Sequence, residues 1–206
     1  MKLSFGYFMK DLHRYRKMML TALILFAAGV IIGTAGAETI GRWVNPAIEQ
    51  MQEHSQRLSE SPSPEQGFFK FIFLNNAIKS VAVIFLGALF GVYPVLFLVM
   101  NGMVIGYLVS ELGRQGEDVF HLIFYGLLPH GIIEIPAIII AAGFGMQFGY
   151  MVLKWLGELG GAREEREKSV VWRGFLASAV RGAFWIVILL LLAAGIESVI
   201  TYNLMK

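Results

Sequence analysis

His130 and Glu134 lie four residues apart in the run Pro129-His130-Gly131-Ile132-Ile133-Glu134-Ile135-Pro136-Ala137. The stretch around them, from Val119 to Leu156, is otherwise almost wholly apolar. On one helix this spacing puts both side chains on the same face. A carboxylate beside an imidazole can fix its tautomer, hold the ring in its charged form, or share a metal ion with it. Ionisable groups at bilayer depth are costly unless paired, hydrated or bound, so the two residues are functional-site candidates by default. Gly131 leaves room for a backbone or ligand to approach. Pro136 lacks an N–H, which leaves the carbonyl of Ile132 without its helical partner and free to point into the same neighbourhood.

Three asparagines belong to the same candidate intramembrane polar site. Asn75 and Asn76 open one apolar span and Asn101 lies inside the next. By the helical rise, Asn101 sits roughly 10 Å from one side of the membrane and His130 roughly 15 Å from the other, so both approach the midplane. Such a cluster can serve as a packing network, a metal or substrate site, or a proton or ion pathway. As a metal signature, His130 with Glu134 is weak: zincin-type sites need His-Glu-x2-His and a third ligand. Of the remaining histidines, His13 and His54 belong to polar segments, and His121 lies across a proline break. A divalent ion such as zinc is therefore a candidate cofactor on His130 and Glu134 only. Gly-x-Ser-x-Gly, P-loop and dinucleotide fingerprints are absent, which favours a non-enzymatic role with no catalytic residues to assign.

The elements that must position these groups follow from composition. The 206 residues are 56% hydrophobic and 16% charged, with a mean hydropathy of +0.63. A soluble domain is charged at about a quarter of its positions, and several runs here approach the roughly 20 apolar residues that cross a bilayer. The reading is an all-α, polytopic helical membrane protein. The runs are continuous, unlike the short alternating segments of a β-barrel. With no cysteine, disulfides, thiolate catalysis and cysteine metal sites are excluded. A net charge of +2 argues against nucleic acid and leaves membrane lipid as the general partner. Lys2, Lys10, His13, Arg14, Arg16 and Lys17 face a single acid, Asp11, before the first span; such a cluster keeps the N-terminus in the cytoplasm of a multi-pass cell-membrane protein. Ala35-Gly36-Ala37 looks like a signal-peptidase site, but the apolar run before it is longer than a signal core, so it reads as an uncleaved span.

A single transmembrane domain over residues 1–206 is expected. Residues 18–37 form the first span and 38–67 an acidic extracytoplasmic loop, in which Val44, Ile48, Met51 and Leu58 recur at the spacing of a short amphipathic helix. Residues 68–111 form a helical hairpin, turning at Gly91-Val92-Tyr93-Pro94. Residues 119–156 form a broken helix: a half-helix from Val119 to Leu127, re-entrant or crossing, then a second helix from Pro129. A cytoplasmic loop at 157–173 leads to the last span, 174–201, where Arg181, near the entrance, is expected to snorkel to the cytoplasmic side. The count is five to six transmembrane helices, depending on the segment before Pro129. Glycines paired at 29/33, 87/91, 102/106 and 145/149 offer close-packing faces, enough to suggest a homodimer.

Phe73-Leu74-Asn75-Asn76, Asn101-Gly102 with Gly106 beyond, and Pro129-His130-Gly131-x2-Glu134-x-Pro136-Ala137 together resemble the stage II sporulation protein M family. The resemblance is densest between Phe68 and Gly149. It implies an integral protein of the bacterial cell membrane that acts in engulfment during sporulation as a scaffold at the septum. Its implied partners are peptidoglycan hydrolases and other membrane proteins, which it recruits and localises. It carries over no catalytic residue.

Overall fold

The structure, a computed structural model, describes residues 2–116, 128–160 and 172–204, the side chains of 128–130, 159–160 and 197–204 excepted. Within these residues the chain forms helices α1 (Phe5–Arg14), α2 (Arg16–Ala35), α3 (Ala37–Ser59), α4 (Pro64–Leu86), α5 (Val92–Arg114), α6 (Leu128–Gly160) and α7 (Trp172–Leu204). Helices α2, α4, α5, α6 and α7 each contain a segment long and apolar enough to cross a membrane, five among the described residues. The expected half-helix Val119–Leu127, with His121, and most of the 157–173 loop lie outside the described residues. Helix α6 opens at Leu128 with Pro129 in its first turn, where a missing N–H breaks no helical hydrogen bond and the fixed φ suits the helix.

Helix α6 is the centre of the bundle and packs against α2, α4, α5 and α7. Residues 141–146, Ala-Ala-Gly-Phe-Gly-Met, are all buried, right round the helix. Small residues make such a position possible in lipid, where close van der Waals packing replaces the hydrophobic driving force between helices. Gly145 lies against Gly87, and Gly149 against Gly91. The α2–α5 contact is built the same way: Gly29 and Gly33 meet the backbone at Val99 and Met103, while Gly102 and Gly106 meet Phe26 and Val30. A Cβ on Gly29 would stand 2.5 Å from the Val99 carbonyl oxygen. The glycine faces that suggested a homodimer are thus occupied within one chain, and a second copy would have to use a different face.

The hairpin turn falls earlier than its sequence suggests. Residues 87–91 turn, α5 starts at Val92, and Pro94 is buried in the first turn of α5. Phe90 and Gly91 adopt left-handed conformations, at φ of 56° and 77°. For Phe90 that costs roughly 1–2 kcal/mol. The reversal brings Gly91 onto Gly149 and Pro94 onto Gly145, so the contact it makes possible is the one that seats α6.

The polar segment after the first span is one 23-residue helix, α3, entered through a turn at Gly36 and running through Pro46. Contacts at both ends support a helix that continues through a residue that ordinarily destabilises a helix interior. At its root Ala37, Ile40 and Tyr107 are buried together, with Val44 and Ile48 packed on them. The Tyr107 hydroxyl donates to Asn45 Oδ1 at 2.6 Å. At its tip Leu58 packs on Phe68, Ile72 and Ala194, and the His54 and Phe71 rings are 4.6 Å apart.

Candidate functional site

The intramembrane polar residues come together only in part. Helix α4 carries Asn75 and Asn76 at half-buried positions, and α6 brings Glu134 to them, also half-buried. The Asn76 side-chain amide donates to Glu134 Oε1. Asn75 Nδ2 donates to Asn76 Oδ1 at 3.3 Å, so the two amides and the carboxylate form a chain. Ala77 beside them is buried, as are Gly131 and Ala137 on α6. Ala77 and Ala137, in one buried cluster, let the two helices approach closely enough for short side chains to touch. Asn101 does not join this chain: its amide donates to the carbonyl of Phe97 on its own helix, at 2.7 Å. The backbone of His130 is in the first turn of α6, and its side chain lies outside the described residues. Among the described residues no three His, Cys, Asp or Glu side chains gather as a metal site would require.

A second polar cluster escaped the sequence reading. Helix α1 folds back along α7, burying Phe8 and Asp11. Arg181 reaches the N-terminal segment rather than open solvent. It is 8% exposed, and its Nε donates to Asp11 Oδ2 at 2.6 Å. Its Nη1 donates to the Lys2 carbonyl at 2.8 Å, and Ser178 Oγ donates to Asp11 Oδ1 at 2.9 Å. Trp185 Nε1 donates to the Leu3 carbonyl at 2.9 Å, closing the far end. Both charges are thereby compensated and hydrogen-bonded, the condition under which a buried ion pair is tolerated. The signal was available: Asp11 is the one acid among the N-terminal cations, and Arg181 is a cation within a run of apolar residues.

Residues 22–202 match the family described as Stage II sporulation protein M. The chain belongs to the stage II sporulation protein M family. Two curated relatives come from Methanocaldococcus jannaschii: the uncharacterized protein MJ0793, 27% identical over 89% of this chain and 93% of its own length, and the uncharacterized protein MJ0706, 24% identical over 62% of this chain and 55% of its own. No solved structure matches. With five apolar spans and this membership, the stage II sporulation protein M family member is a multi-pass membrane protein. Among the described residues, α3 is the longer of the two helices that are not candidate spans. Between the root and the tip, most residues of that helix face outward, with Trp43 83% and Met51 52% exposed. Glu49, Glu53 and Arg57 are exposed beside them.

Proposed function

We propose that this protein is a cell-membrane scaffold that presents α3 to peptidoglycan-remodelling partners, in a sporulating cell at the septal membrane during engulfment. The observation that carries the reading is Trp43, a large aromatic side chain 83% exposed on a helix anchored at both ends. A rigid exposed aromatic among polar neighbours is the kind of anchor that interfaces use. Charge supplies the sidedness. The cations from Lys2 to Lys17 keep the N-terminus cytoplasmic, so α2 delivers α3 to the outer side, where the cell wall lies. Archaeal relatives indicate a shared task wider than sporulation, with the wall enzyme as the occupant in bacteria. Co-purification from native membranes tests this: identified cell-wall hydrolases are expected with the wild type and depleted with Trp43→Ala. Recovery of no such enzyme above background contradicts the reading.

The Asn76–Glu134 contact supports a second reading, a membrane-embedded ion or divalent-metal site built on Glu134 and His130. Stoichiometric metal lost on His130→Ala, or liposome flux lost on Glu134→Gln, is its expected signature. Insensitivity to both substitutions removes it.

A further inference from the structure

Between α1 and the start of α7 lies a recess of about 450 Å³ lined by Lys2, Tyr7, Lys10, Asp11, Arg14 and Arg181, among others. Its charge is unbalanced. Asp11 is already matched by Arg181 at 2.6 Å, which leaves the cations of Lys2, Lys10 and Arg14. All three are exposed, and among the described residues none forms an ion pair with a carboxylate. The Tyr7 ring lies beneath two cations of the recess, Lys10 Nζ at 5.4 Å and the Arg181 guanidinium at 5.5 Å from its centroid. Helix α1 and the residues just before it expose Leu3, Phe5 and Met9. Trp172 and Trp155, 6.4 Å apart, stand at the α6–α7 end of the bundle nearest this recess, and indole rings favour the membrane–water interface. Cations beside exposed apolar side chains are the pairing by which a protein surface attracts an anionic lipid.

We propose that this recess binds the headgroup phosphate of an anionic phospholipid, with Lys2, Lys10 and Arg14 around the phosphate and Leu3, Phe5 and Met9 against the acyl chains. The exposed apolar side chains favour a lipid over free phosphate, which would have no use for them. The clasp of Asp11 on Arg181 fixes the floor of the recess, so the lipid also secures α1 against the bundle.

Native mass spectrometry of the purified full-length protein in detergent, titrated with phosphatidylglycerol or phosphatidylcholine, tests this. Phosphatidylglycerol is expected to be retained preferentially. Lys10→Gln/Arg14→Gln should weaken its binding about tenfold or more, since each surface cation contributes appreciably to anionic-lipid attraction. The equal-charge control Arg42→Gln/Arg57→Gln, on α3, should leave binding unchanged, and excess inorganic phosphate should not displace the lipid. Equal retention of both lipids, equal loss in the control, or full displacement by inorganic phosphate would each overturn the proposal.

Discussion

Asp11 and Glu134 are both acids withdrawn from water, and the molecule holds them in opposite ways. Asp11 meets a guanidinium at 2.6 Å and a hydroxyl at 2.9 Å, and its side chain is 8% exposed. Among the described residues Glu134 meets the neutral amide of Asn76, and it stays half-buried. The first arrangement is closed: charge and hydrogen bonds are complete, and the pair fastens the N-terminal helix to the last span. Among the described residues the second is open: the carboxylate faces an amide that supports but does not neutralise it. A closed pair reads as architecture and an open one as a place where chemistry can still happen.

Removing one side of the closed pair should have the largest effect. Arg181→Met strands a buried carboxylate and should cost about 3–5 kcal/mol, read as a fall in melting temperature of the detergent-solubilised protein. Asp11→Leu/Arg181→Met should recover most of that loss. A double variant as unstable as the single one would mean that packing, not charge, holds α1. Next in size is Gly87→Val, which forces a side chain into the backbone of Gly145 and pushes α4 from α6. Overpacking of this kind costs about 1–3 kcal/mol. Cross-linking should show the α4–α6 spacing disturbed while α1 stays on α7, separating the two clusters. Asn76→Ala should be milder, below about 1 kcal/mol, as is usual for intramembrane polar contacts. A loss comparable to that of Arg181→Met would erase the distinction between the two acids. Trp43→Ala, far from both, should shift stability by within about 0.5 kcal/mol while reducing partner recovery.

The five spans were legible because long apolar runs state them directly, and their limits moved by a few residues at most places. The Asn76–Glu134 contact was legible only as shared polarity, since the depth argument placed Asn101 and His130 near the midplane rather than this pair. Depth does not fix rotation about a helix axis, and that is why Asn101 was misjudged. Gly102 and Gly106 turn α5 toward α2, leaving the Asn101 amide to its own helix. The course of α3 through Pro46 was hidden because its ends are held by Tyr107 and by Phe68, Ile72 and Ala194, on other helices. Helix α1 was hidden for a related reason. A basic tail looks solvated until Phe8 and Asp11, on one face, are matched with Arg181 in the last span.

The scaffold reading is tested most directly by site-specific photo-cross-linking in native membranes, with the reactive amino acid at position 43 or 51 of α3 and, as a comparison, at the lipid-facing positions 24 and 31 of α2. The account predicts adducts to identified cell-wall hydrolases from the α3 positions and none from α2. Equal labelling from both helices, or no hydrolase adduct from position 43, would contradict it.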